Sequence, residues 1–144
     1  MVDVIDAKIK HLEAIQSVVN RLAQNSFTVR GWSVTLVTAV LAAAAVKPGS
    51  QQPLIALALI PAWAFWALDA YYLRQERLFR ALYRSVGASA RREPEEGDVP
   101  LFDMSVSVFH QDVPKFGRML VVPSVALIPS TLTVLVTALG ALTL

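Results

Sequence analysis

The sequence predicts an all-α membrane protein: three transmembrane helices, an N-terminal amphipathic helix, and a cytoplasmic extension of the second span. Three observations predict it. Long apolar stretches occupy 31–46, 54–73 and 119–144. Twelve of the thirteen basic residues fall on one side of those stretches. Hydrophobic residues make up 55% of the chain and charged residues only 17%, with a mean hydropathy of +0.51.

That composition is poor in charge for a soluble domain. One buried core helix explains one such stretch, but hardly three in 144 residues. A helix that satisfies its own backbone hydrogen bonds in lipid explains all three. The chain has no cysteine, which excludes disulfides, zinc-thiolate sites and thiol nucleophiles. It begins Met-Val-Asp-Val-Ile-Asp, acidic and without a short apolar core. No cleavable signal peptide is expected there, and the first span is expected to direct insertion.

Charge sets the expected topology. Lys8, Lys10, Arg21 and Arg30 precede the first span, and only Lys47 lies between the first and second. Between the second and third come Arg74, Arg77, Arg80, Arg84, Arg91, Arg92, Lys115 and Arg118. The positive-inside rule then places the N-terminus and 74–118 on the cytoplasmic side of the membrane. The C-terminus is expected outside.

The elements follow in order. Residues 1–26 read as a cytoplasmic amphipathic helix, with Ile5, Ile9, Leu12, Ile15, Val19 and Leu22 on one face. Its polar face mixes Asp6, Lys10, Glu13 and Arg21, so packing on the protein's own helix or self-association is favoured over lying on lipid. Residues 27–47 form the first span, provided Arg30 snorkels to the interface. An external turn covers 48–53, and the second span 54–73. That helix runs on without a break as an arginine-rich segment, 74–88. Trp63, Phe65, Trp66, Tyr71 and Tyr72 read as an aromatic belt.

Residues 89–118 form a solvated loop carrying Glu93, Glu95, Glu96 and Asp98. Within it 101–109 is either a short strand or an irregular cover over the helices, ended by Pro114. The third span, 119–144, would measure about 39 Å if straight. Pro123 and Pro129 are therefore expected to kink it or leave its first turns at the interface. Gly140, Ala141, Thr133 and Thr137 are positions of close helix approach; the alternative is a polar pore lining shared with Ser124, Ser130 and Thr131.

Few residues carry chemistry. Asp69 is the acidic residue within a span. It reads either as an ion pair with Arg30 or Arg74, or as a pore ring or gate. Arg77, Arg80 and Arg84 share about 60° of helix arc. With Arg74, Arg91 and Arg92 they are either topogenic charges or a patch for an anion such as a nucleotide, on whose bases Tyr72, Phe79 and Tyr83 could stack. Asn20, Gln24 and Asn25 flank Arg21 just ahead of the first span and could gate or line an entrance. His11 with Glu13 and His110 with Asp112 are two residues apart, a spacing that points apart on a helix. His11 reads as a packing or capping residue. Neither an enzyme nor a cofactor is expected, since no phosphate-cradling loop, nucleophile elbow or paired carboxylates occur.

Two runs carry a resemblance: residues 11–27 followed by Arg30-Gly-Trp-Ser-Val-Thr-Leu36, and Phe65-Trp-Ala-Leu-Asp-Ala-Tyr-Tyr-Leu-Arg-Gln-Glu-Arg-Leu-Phe-Arg-Ala-Leu-Tyr83. Together with Phe102-Asp-Met104, where relatives would carry Phe-Ser-Met, the chain resembles a widespread group of small bacterial three-span membrane proteins. The build is also similar to membrane effectors of anti-phage defence, such as the Hailong type, in which a nucleotide or oligonucleotide signal opens an oligomeric channel. That analogy implies a homo-oligomeric ion channel, with a tetramer as the working expectation. The competing expectation is a membrane-anchored scaffold docking a cytoplasmic partner.

The topology is directly testable. Trypsin should cut near Arg91 and Arg92 in inverted membrane vesicles and leave right-side-out vesicles intact; the reverse pattern would invert the assignment.

Overall fold

A single helix, α1, runs from Val2 to Val46. Its 45 residues extend about 67 Å at 1.5 Å per residue. The computed structural model describes residues 2–46, 51–90 and 97–142, and all regular structure there is helical. No proline interrupts α1, and a Cβ on Gly31 would meet nothing within 4 Å, so the amphipathic segment and the first apolar stretch form one rod.

The second long helix is divided. α2 spans Gln51–Leu57 and α3 Leu59–Ser89. The expected unbroken span and external turn are therefore corrected in two places. Residues 51–53 are already helical, with Pro53 in the first turn, where a missing N–H is tolerated; residues 47–50 lie outside the described residues. The break at Ala58 follows from Pro61, which cannot donate to the Leu57 carbonyl and crowds it. The Ala58 N–H instead makes a tighter bond to the Ile55 carbonyl, 3.1 Å. Beyond it α3 continues through the arginine-rich segment as expected. Lys8 Nζ donates to the Ser89 carbonyl at 2.9 Å, a cation at the negative end of α3.

The segment 97–115 is irregular apart from a 3₁₀ turn at Ser107–His110. The short strand does not form there; the other reading, an irregular cover, does. Val99, Met104, Val106 and Phe109 all pack on one apolar cluster, and among the described residues no neighbouring strand offers a ladder. Arg91, Arg92, Glu93, Glu95 and Glu96 lie outside the described residues. The third apolar stretch is likewise divided, into α4 (Phe116–Leu120) and α5 (Pro123–Leu142). Pro123 opens α5, where its fixed φ suits the first helical turn. The 20 residues of α5 reach about 30 Å, the thickness of a bilayer core.

α1 and α3 run antiparallel, tied at three levels. At the polar end Ile15 and Val19 cluster with Leu82 and Val86. Midway, Ser26 and Arg30 meet Asp69. At the apolar end Val37 and Ala44 cluster with Ile55, Ala58, Ala62, Leu132 and Val136. Small residues bring the helices close there, and a Cβ on Gly140 would lie 3.6 Å from Ile55 Cγ2. Trp63 Nε1 donates to Thr133 Oγ1 at 3.3 Å across α3 and α5. At the elbow Met119 buries against Ala70 and Val125, and Trp66 Nε1 donates to the Leu120 carbonyl, 3.1 Å.

Three helical stretches, Val4–Val46, Gln52–Ser89 and Pro123–Ala141, are long and apolar enough to cross a membrane. In the most apolar windows only 17%, 28% and 22% of residues are buried within the protein. Phe27, Trp32, Ile60, Trp63, Leu127 and Val134 are all more than half exposed. Apolar surface on that scale calls for a partner other than water.

His11 fastens the irregular segment to α1. It is 1% exposed; its Nδ1 accepts the Phe102 N–H at 3.3 Å, and Nε2–H then donates to the Asp103 carbonyl at 3.1 Å. The rings of His11 and Phe102 are 5.7 Å apart. Phe102 holds φ at 63°, a left-handed conformation that an aromatic side chain rarely takes. The Asp103 N–H closes that turn on the Pro100 carbonyl, 3.1 Å. Replacing His11 with Ala leaves two backbone groups without partners and should cost about 2 kcal/mol, with faster amide exchange at 102–106. An unchanged melting temperature would mean that the apolar contacts hold the segment unaided.

Candidate functional site

Two polar constellations stand out, both on the α1–α3 seam. The first surrounds Asp69, which α3 places within its apolar half at 3% exposure. Ser26 Oγ donates to Asp69 Oδ1, and Arg30 Nε donates to Oδ2 at 2.8 Å. Ser26 and Arg30 stand four residues apart on α1, so one helix face delivers both donors. Of the two sequence-based partners, Arg30 is the one that pairs. Arg30 thus turns inward to a carboxylate rather than along the helix toward an interface. Arg74 lies one turn beyond, with its Nε buried and without a hydrogen-bond partner. A cavity of about 10 Å³, lined in part by Arg30, Ser33, Asp69 and Pro129, adjoins the pair. Such a space is about one water in size.

The second constellation is an open groove at the polar end. Gln16 and Val19 of α1 form one wall; Arg80, Tyr83 and Arg84 of α3 form the other, around a volume of about 310 Å³. A neighbouring depression of about 520 Å³ shares Gln16 and Tyr83 and adds Ile9, Leu12, Glu13, Ser17 and Asn20. Tyr83 is 38% exposed and stands between them. Gln16 Nε2 donates to Asn20 Oδ1 at 3.3 Å. Arg80 Nε donates to Glu76 Oε1 at 2.7 Å, and Arg84 Nε to the Arg80 carbonyl at 3.3 Å.

The sequence-predicted residues therefore divide. Arg80, Arg84, Tyr83 and Asn20 come together. Arg77 and Arg74 line neither part of that groove. Gln24 is exposed and Asn25 half-buried, on the turns of α1 between the groove and Ser26. Three contributors escaped the sequence reading. Ser26 was legible from its spacing to Arg30, but a serine among apolar residues carries little signal by itself. Glu76 sits four residues before Arg80, an i, i+4 pair visible in the sequence. Gln16 required the tertiary pairing of α1 with α3.

Chemically, the groove offers two guanidinium groups beside an aromatic face, a combination that holds a phosphate and stacks a base. The Asp69 cluster offers a charge pair whose carboxylate is buried and whose guanidinium is partly exposed. Comparisons with protein-family models, curated proteins and solved structures found no match to this chain in any of the three.

The Asp69 pair has a measurable signature. Asp69→Asn leaves Arg30 without its counter-charge and should cost about 3 kcal/mol, or about 10 °C in melting temperature for a chain of this size. Adding Arg30→Gln should restore much of the loss, because both charges are then gone. Additive losses in the double variant would show that the two residues act independently.

Proposed function

We propose that this chain is a bacterial inner-membrane protein with its N-terminus and polar half in the cytoplasm. It assembles as a homo-oligomer, with a tetramer as the working number, and conducts ions in response to an anionic nucleotide or oligonucleotide. The observation that carries this reading is the groove in which Arg80, Arg84 and Tyr83 face Gln16 across the α1–α3 seam. A phosphate there competes with Glu76 for Arg80. Its binding alters the balance of charge where α1 and α3 meet. Gln16 and Ser26 are ten residues apart on α1, about 15 Å along the rod. A small shift of α1 against α3 at the groove thus reaches the Ser26–Asp69–Arg30 cluster. In this reading Asp69 is the gate, with Asn20, Gln24 and Asn25 on the connecting turns, while Arg74 and Arg77 widen the basic field. The similarity of build to anti-phage membrane effectors fits the same mechanism.

One observation favours a second reading, a membrane-anchored scaffold. Val4, Ile5 and Ile9 are 55%, 56% and 48% exposed, so the apolar stripe of α1 continues past the part that α3 covers. A helix from a cytoplasmic partner would fit that remainder.

Ion flux in proteoliposomes separates the two. With ATP or a short oligoadenylate on the cytoplasmic face, the wild type should conduct. Arg80→Gln with Arg84→Gln should need at least about tenfold more ligand while keeping its oligomeric mass. Glu76→Gln should respond at lower concentration. Vesicles that stay tight under every ligand, or a monomer in detergent, would remove the channel and leave the scaffold.

A further inference from the structure

A third basic feature lies away from the groove, where the polar half meets α5. His110, Gln111, Val113, Pro114, Lys115 and Arg118 line an open depression of about 530 Å³. Its frame is fixed at both ends: Val113 is 6% exposed and Met119 fully buried. The cations themselves are exposed, and neither Lys115 nor Arg118 forms an ion pair among the described residues. The carboxylate nearest in sequence, Asp112, is exposed and forms none either.

Several of its neighbours in sequence are exposed and apolar. Phe116 is 41% exposed, Val121 71% and Val108 78%. Arg118 precedes Pro123 by five residues, and at Pro123 the helix α5 begins its 20-residue apolar run. Farther along α5, Leu127 and Val134 are 67% and 66% exposed; seven residues apart, they share a face. Two unpaired cations thus sit at the mouth of an apolar strip. That order, charge first and hydrocarbon after, matches a phospholipid: a phosphodiester at the headgroup level and acyl chains below it.

We propose that His110, Lys115 and Arg118 form a binding site for the phosphate of an anionic phospholipid, whose acyl chains lie along Val121 and the exposed face of α5. The site rests on the membrane reading given above but not on channel activity. Its role is to fix the depth of α4 and the start of α5 at the bilayer surface. The Trp66 bond to the Leu120 carbonyl then transmits that position to α3.

The test uses the full chain purified in detergent, with native mass spectrometry in titrations of phosphatidylglycerol and phosphatidylcholine. Wild type should retain phosphatidylglycerol about tenfold more than phosphatidylcholine. Lys115→Gln with Arg118→Gln should lose that preference, whereas the exchange Lys115→Arg with Arg118→Lys, and Arg80→Gln with Arg84→Gln, should keep it. Equal retention by wild type and the double Gln variant would overturn the site, as would displacement of the lipid by inorganic phosphate, which marks a free-anion site. Alkaline carbonate treatment of cell membranes separates the two levels. A wild-type chain released by carbonate overturns the membrane reading and the site with it; a chain that stays in the pellet but lacks the lipid preference overturns the site alone.

Discussion

The contact between Asp69 and the Ser26–Arg30 face of α1 constrains much of the structure. An ionised carboxylate removed from water is tolerated only when paired and hydrogen-bonded. Here the oxygens of Asp69 receive donors from two turns of one neighbouring helix. Both helices are long and uninterrupted around this point, so the pair fixes their register. A displacement of α1 by one turn would carry Ser26 and Arg30 away from Asp69. It would also part Ile15 and Val19 from Leu82 and Val86 at one end, and Val37 from Ala62 at the other.

Away from that point, each half is held by a different force. At the polar end Leu12, Phe79, Val99, Met104, Val106 and Phe109 close over Ile15 and Leu82, an ordinary hydrophobic core that removes apolar area from water. At the apolar end the outside is as hydrophobic as the inside, so burial gives little gain in a lipid surrounding. Close approach through Ala44, Ala58, Ala62 and Gly140 supplies contact there instead. The threonines fit the same logic. Thr35, Thr131 and Thr137 donate to carbonyls four residues earlier, which satisfies their hydroxyls without any partner helix.

Much of this fold was legible because its signals are long. Apolar runs and the 3-4 spacing of Ile15, Val19 and Leu22 require only helical period. The breaks were less legible. Pro61 was visible, yet its effect falls at Ala58, three residues upstream, and Pro53 nearby is harmless because it sits in a first turn. The segment 101–109 alternates like a strand from Met104, but alternation specifies a strand only when a ladder partner exists. At the candidate site, Arg80 and Arg84 were legible as a helical row. Their separation from Arg77 was not, because it depends on which side of α3 the helix α1 covers.

That side matters for what the charges can do. The arginines alone would form a solvated stripe whose field is screened within about 8 Å at physiological salt. Placing α1 beside Arg80 and Arg84 creates a wall that excludes part of the solvent and strengthens any contact made there. Glu76 pairs with Arg80 along α3 itself, so a bound anion would act against a charge already present. Arg77 lines no part of the groove, so an anion held there would not bridge Arg80 to Gln16. In the proposed function, coupling between ligand and helix register would therefore require the groove rather than the row: only there would one ligand contact both helices of the pair that Asp69 holds in place.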